Sequence, residues 1–156
     1  SSYLEHGTTF RIYLPVVGND SSSAGLEEIE IQPHESAHIL VVDDDPAVAG
    51  TMASLLESYG YSVTKQTSSH AAVEEFKNSR NRFDLLVTDL TMPRMNGLDL
   101  LRNLRTMEPQ LPAVLCSGQY DEKASRIAES LGINHILLKP VSAEDIADAV
   151  KNELQQ

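Results

Sequence analysis

Polar and apolar positions fall into alternating blocks along residues 38–156. Short strand-like runs recur at Ile39–Val42, Tyr61–Gln66, Leu85–Thr88, Pro112–Cys116 and His135–Leu138. Runs as short and as continuously apolar as Ile39–Val42 read as strands buried on both faces. Between them the apolar spacing turns helical. Asp45-Pro46 suits an N-cap followed by proline at the first helical position. Val48, Met52, Leu55, Leu56 and Tyr59 then mark one helical face, stopped by Gly60. Ser69–Arg80 turns Ala72, Val73 and Phe76 inward. Leu98, Leu101 and Leu104 mark a third helix, which ends before Pro109. Asp121–Leu131 puts Ala124, Ile127, Ala128 and Leu131 on one face and closes at Gly132. Ser142-Ala143-Glu144-Asp145 resembles a capping box and opens a last helix through Ile146 and Val150.

Five strands alternating with five helices through short connections predict an α/β fold, (βα)5. Right-handed crossovers put helices on both faces of a doubly wound, parallel five-stranded sheet. Five strands suit an open sheet of flavodoxin-like order 2-1-3-4-5 better than a closed eight-stranded barrel.

The first 37 residues have a different texture. Residues 1–17 contain one alternating run, with Phe10, Ile12 and Leu14 on one side and Thr9, Arg11 and Tyr13 on the other, ended by Pro15. That pattern predicts a half-buried strand. Residues 18–37 are rich in Ser, Gly and acid and read as a linker, with a short alternating stretch at Glu28–Ile31. Residues 38–156 then form the regular domain. The net charge of −11 argues against nucleic acid or an anionic membrane as a direct partner, and it suits a site that holds a cation. A single cysteine, Cys116, cannot close an internal disulfide and reads as a small buried residue in a reducing compartment. No apolar run nears the roughly 18 residues of a membrane span, so a cytoplasmic location is expected, with a membrane anchor elsewhere in a longer parent chain left open.

The chemistry gathers where strands end. The first strand ends in Asp43 and Asp44, the third in Asp89, the fourth in Ser117 and the fifth in Lys139. In the expected order the first and third strands are neighbours at the switch point, where open α/β sheets bind ligands. Three carboxylates brought together must either raise their pKa values or take up a cation. An oxygen-only set favours Mg²⁺, which keeps waters and shares its coordination with phosphoryl oxygens. Lys139 and Ser117 would bind the remaining phosphoryl oxygens, one as a charge and one as a donor. The chemistry this supports is in-line phosphoryl transfer onto Asp89. Taken singly, each residue has a plainer role. Asp43 or Asp44 could cap a helix, Ser117-Gly118 could be a turn, and Lys139-Pro140 a solvated loop. Their joint position at strand ends makes chance a poor account.

Over about Ala37–Gln156 the chain resembles the receiver domain of two-component response regulators, on the motifs ILVVDDDP, LLVTDLTMPRMNG, VLCSG and LLKP. The resemblance implies that Asp89 is the phosphoacceptor. It implies that Asp44 and Asp89 bind Mg²⁺ directly, Asp43 through water, and Thr91 through its backbone carbonyl. Ser117 would be the switch hydroxyl and Lys139 the phosphate-pairing lysine, with a cis peptide before Pro140. Two positions depart from the family pattern. Ile136 stands where an aromatic usually swings inward on phosphorylation, and Val141 where phenylalanine usually follows the Lys-Pro pair. Neither belongs to the acid pocket, so the departures bear on switching and not on phosphorylation. Gly7–Pro15 resembles the last strand of a histidine-kinase ATP-binding domain. Such a strand, a linker and a receiver together resemble the C-terminal part of a hybrid sensor histidine kinase. The expected donor is a phosphohistidine. The expected partners are a histidine phosphotransfer protein or the kinase core of the parent chain. Any catalysis by the fragment would be limited to its own phosphotransfer and dephosphorylation. Residues 1–35 are expected to be mobile or to dock on a sheet edge.

His34-Glu35-Ser36-Ala37-His38 matches H-E-x-x-H, yet His38 runs straight into a buried strand, so one helix cannot present both histidines to zinc. His6, His70 and His135 lack ligand spacing and read as surface or core-edge residues. A Mg²⁺-dependent phosphohydrolase resembling haloacid dehalogenases would carry its nucleophile on the first strand in a D-x-D-x-T context. Here the isolated acid lies on the third strand and the Thr is missing. A phosphorylation-independent interaction module of the same fold would have no use for the acid pocket.

Overall fold

The computed structural model describes residues 37–79 and 83–156. The expected strand in residues 1–17 and the expected linker as far as residue 36 lie outside the described residues. Five strands and five helices alternate: β1 (His38–Val42), α1 (Pro46–Ser58), β2 (Ser62–Gln66), α2 (Ser69–Asn78), β3 (Leu85–Asp89), α3 (Gly97–Arg105), β4 (Ala113–Ser117), α4 (Glu122–Ser130), β5 (His135–Leu138) and α5 (Ala143–Leu154). All strand pairs are parallel and the order is β2-β1-β3-β4-β5. That is the predicted flavodoxin-like arrangement.

The sheet separates two cores, because successive side chains on a strand point to opposite faces. Leu40, Val42, Leu86 and Leu115 face α2, α3 and α4, where Leu100, Leu101 and Leu104 are fully buried. Ile39, Val41, Leu85, Val87 and Val114 face α1 and α5, against Leu56, Ile146 and Val150. Burial on both sides explains why the central strands are continuous apolar runs. The edge strands differ. β2 has no fully buried residue, and Leu138 in β5 is exposed.

Three local expectations are corrected. Tyr59 does not join the buried face of α1; it is the C-cap and is exposed. The buried stripe is Ala49, Met52, Ala53 and Leu56, with Val48 and Leu55 half-buried. The stripe keeps Met52 and Leu56 of the expected face, with Ala49 and Ala53 buried beside them. α2 stops at Asn78, because Ser79 turns to extended backbone (φ −70°, ψ 123°). Asn96-Gly97, a dipeptide whose composition predicts a turn, is not one. Asn96 is the N-cap of α3, its side chain accepting from the Asp99 amide, and Gly97 is the first helical residue. Gly60 and Gly132 do stop α1 and α4 as predicted, both with positive φ (94° and 71°).

The tight bend lies earlier in the loop. The Met95 amide donates to the Pro93 carbonyl at 2.8 Å, with Arg94 at φ 70° between them. A three-residue turn with positive φ at a non-glycine centre is a strained conformation, placed in the loop between β3 and α3.

Gly97 is needed for close approach. A Cβ there would strike the Asp89 carbonyl oxygen and come within 3.0 Å of Thr88 Cγ2. The Gly97 amide also donates to the Leu90 carbonyl at 3.0 Å, so α3 begins against the end of β3. Gly97→Ala is therefore expected to destabilise the domain by about 1–3 kcal/mol, read from urea denaturation midpoints. A midpoint equal to wild type would contradict the packing described.

Candidate functional site

β1 and β3 are hydrogen-bonded neighbours, so the residues at their carboxyl ends are brought together. Asp89 is the last residue of β3 and pairs with Cys116 of β4 in the ladder. Asp43 and Asp44 follow β1, and the Asp43 amide still bonds to the Gln66 carbonyl of β2 at 3.2 Å. One carboxylate oxygen from each of Asp43, Asp44 and Asp89 lies within 4.8 Å of the others. Asp43 and Asp89 are buried, while Asp44 is exposed. Asp45 stands apart from this group. It caps α1 by accepting from the Ala47 amide at 2.9 Å, the role its sequence context suggests.

Lys139 enters from the end of β5. Its Nζ lies 2.6 Å from Asp43 Oδ2 and 3.0 Å from Asp89 Oδ1. The side chain is only a quarter exposed (25%), and its amide donates to the Ser117 carbonyl at 2.8 Å. The Lys139–Pro140 peptide is cis, as the resemblance implies. Burial alone would lower the Lys139 pKa; the hydrogen bonds to Asp43 and Asp89 outweigh it and raise the ammonium above its usual value. Asp89 is held above the usual carboxylate range. Burial is the main cause, the Lys139 contact opposes it, and the Asp43 and Asp44 charges add to it.

Ser117, the last residue of β4, is buried. Its hydroxyl donates to the Gln119 carbonyl at 2.6 Å, so its one proton is engaged by its own loop. Thr91 lies two residues beyond Asp89 and is exposed in the loop that leads to α3. Cys116 is buried as expected, and burial pushes its thiol up to about 12, which leaves it inert at neutral pH. His38 is the first residue of β1, and its ring nitrogen bonds Thr64 Oγ1 at 2.8 Å, so it is no part of a zinc helix.

The sequence reading missed two features. His135 Nδ1 sits 2.7 Å from Glu153 Oε1, a buried acid on α5 that the Asn134 side chain also contacts. Nothing in the spacing of residues 135 and 153 signals this pair; only the packing of α5 on β5 creates it. The second is Tyr120, 72% exposed in the loop after Ser117. An aromatic in a loop that starts at a site residue was the available signal.

A family model described as "Response regulator receiver domain" matches residues 39–151. The sensor kinase CckA of Brucella abortus is 30% identical over 96% of this chain, which spans 17% of that protein. The sensor protein EvgS of Escherichia coli is 34% identical over 96% of the chain, which spans 12% of it. A crystal structure of a response regulator receiver domain protein from Clostridium thermocellum superposes with a TM-score of 0.71 at 31% identity. That match covers 76% of this chain and 94% of the other. The chain thus spans less than a fifth of either sensor kinase. No helix among the described residues is long and apolar enough to cross a membrane.

The charges in the pocket set a stability prediction for the metal-free protein. Folding raises the Asp89 pKa above 3.8. The stabilising contribution of its protonated form is therefore lost as pH rises from the unfolded value through the raised folded value. Asp89→Asn is expected to raise the melting temperature at pH 7, and the gain should vanish below about pH 3.8. Lys139→Ala should act in the opposite direction at pH 7, costing about 2 kcal/mol because the paired carboxylates lose their counter-charge. Thermal unfolding in chelator measures both, and a destabilised Asp89→Asn at pH 7 would contradict this electrostatic account.

Proposed function

The chain belongs to the response-regulator receiver family, and on that premise we propose that it accepts a phosphoryl group from a phosphohistidine onto Asp89. The observation that carries this reading is the convergence of Asp43, Asp44, Asp89 and Lys139 at the switch point of the sheet. An Asp89 carboxylate oxygen attacks phosphorus in line. The phosphorus–nitrogen bond breaks, and its electron pair leaves with the imidazole. Lys139 follows the charge onto a phosphoryl oxygen, and Ser117 turns its proton from the Gln119 carbonyl to another.

The donor set fits Mg²⁺, because three carboxylates and no nitrogen or sulfur ligand favour a hard cation. Asp44 and Asp89 would hold it directly, Asp43 through water, and Thr91 by its backbone carbonyl. When bound, Mg²⁺ supplies charge neutralisation for the carboxylates and the transferring phosphoryl group.

We further infer that the chain is the receiver of a hybrid sensor histidine kinase acting in the cytoplasm. Similarity to two sensor kinases across 96% of the chain supports this, as does the resemblance of Gly7–Pro15 to a kinase-domain strand. The phosphoryl group would pass to or from a histidine phosphotransfer protein, or act back on the attached kinase core.

Beryllofluoride with Mg²⁺ mimics the acyl phosphate and tests the site. Amide resonances around Asp89, Ser117 and Lys139 should shift in wild type and stay still in Asp89→Asn. Asp44→Asn should weaken Mg²⁺ binding about tenfold or more, equivalent to about 1.4 kcal/mol. Unmoved wild-type amides would overturn the phosphoacceptor assignment.

A further inference from the structure

β1, β3, β4 and β5 each bring a side chain of the candidate site to the carboxyl edge of the sheet. β2 ends at Gln66 without one, and the chain passes through Thr67 and Ser68 into α2. The first residue of α2 is Ser69, which is buried although it lies at the same edge. Its helix does not need this hydroxyl, because Ser68 is the N-cap and accepts from the Ala71 amide at 3.1 Å. The Ser69 hydroxyl points elsewhere. It donates to the Met95 carbonyl at 2.7 Å, and the Met92 sulfur lies 3.9 Å away. Both partners belong to the loop between β3 and α3.

That loop is closed at its base. The Leu90 amide donates to the Cys116 carbonyl at 2.7 Å, and the Gly97 amide donates to the Leu90 carbonyl at 3.0 Å. Farther out, Arg94 has φ 70° and the Met95 amide donates back to the Pro93 carbonyl at 2.8 Å. A strained turn persists only where its surroundings over-determine it. Among the described residues, Ser69 makes the only side-chain hydrogen bonds that reach residues 91–95 from another element. Its two contacts straddle Pro93 and Arg94, so they hold the turn from both sides. They also leave Thr91 as the single residue between two held neighbours, Leu90 at the base and buried Met92 against Ser69. The planar peptide that carries the Thr91 carbonyl joins Thr91 to Met92, and it has little freedom to turn while both flanks are fixed.

We propose that Ser69 is a positioning residue for the cation: by holding Met95 and Met92 it keeps the β3–α3 loop in one path, and so fixes the Thr91 backbone carbonyl as a ligand before Mg²⁺ arrives. This role rests on the Mg²⁺ reading of the acid pocket. The hydrogen bonds of the Ser69 hydroxyl go to the loop and to none of Asp43, Asp44, Asp89 or Lys139, so it acts through the backbone alone. Without the hydroxyl the strained turn relaxes in the metal-free protein, and binding must re-form it. Ordering done in advance raises affinity, and ordering left to the binding step lowers it.

The test uses the full chain and Mg²⁺ alone, with the Asp44 and Asp89 amide resonances reporting binding. Ser69→Ala removes the hydroxyl and keeps a side chain that suits a helix. It should weaken Mg²⁺ binding about three- to tenfold, the scale of one net hydrogen bond. In chelator the Met95 amide of this variant should exchange with solvent several-fold faster than in wild type, and Mg²⁺ should slow it again. Val73→Ala is the control, since it truncates a buried residue of the same helix and leaves the hydroxyl in place. It should bind Mg²⁺ like wild type. Equal affinity in Ser69→Ala and wild type would overturn the positioning role alone. Equal weakening in Ser69→Ala and Val73→Ala would overturn it too, because the cause would then be the general packing of α2. A wild-type chain whose Asp44 and Asp89 amides do not respond to Mg²⁺ would overturn the metal reading, and the positioning role with it.

Discussion

The structure depends on one electrostatic constraint: carboxylates from two adjacent strands share a single part-buried ammonium. Asp43 after β1 and Asp89 at the end of β3 both bond Lys139 from the end of β5. These strands are not sequential neighbours, and β4 lies between β3 and β5 in the sheet. Lys139 therefore joins three strand ends across the carboxyl edge. Its amide on the Ser117 carbonyl includes β4 as well. The arrangement requires a rigid base, which the double-sided burial of β1, β3 and β4 provides. It also requires that α3 start hard against Asp89, which only glycine at position 97 permits. The pair is poised and not relaxed. Asp89 keeps a raised pKa despite the lysine, so its charge is under-compensated in the metal-free fold.

Much of this was legible in the residues. The central strands announced themselves because burial on both faces demands continuous apolar runs, as at Ile39–Val42 and Leu85–Val87. The acids were legible because parallel topology fixes where strand ends meet, so Asp43, Asp44 and Asp89 could be grouped without coordinates. Other features depend on contacts no local pattern encodes. The buried stripe of α1 runs through Ala49 and Ala53, which the larger neighbours Val48 and Leu55 mask in the apolar pattern. Glu153 is buried because His135 and Asn134 receive it, and these come from another element. Asn96-Gly97 looks like a turn pair, yet helix capping and close approach to Asp89 explain the same two residues. The hold of Ser117 on Gln119 depends on a rotamer, and sequence carries no information about that.

The Ser117 hydroxyl, held on the Gln119 carbonyl, stands between the site and the neighbouring cavity. Ser117 is where the acid pocket ends and the cavity begins, since it lines the latter while flanking the ladder partner of Asp89. The family pattern places an aromatic on the fifth strand, and this chain has Ile136 there. Ile136 lines a cavity of about 150 Å³ together with Leu90, Ser117 and Tyr120. An acid pocket at a sheet edge can serve a relay partner or an attached kinase equally well. Both are consistent with a chain similar over most of its length to parts of two sensor kinases.

The central claim is that Asp89 becomes an acyl phosphate. Its most direct test is to incubate the chain with acetyl phosphate and Mg²⁺, reduce with borohydride, and map the product by peptide mass spectrometry. The account predicts homoserine at position 89, dependent on Mg²⁺ and absent after treatment with chelator. Reduction at Asp43, Asp44 or any other carboxylate, with position 89 left as aspartate, would contradict it.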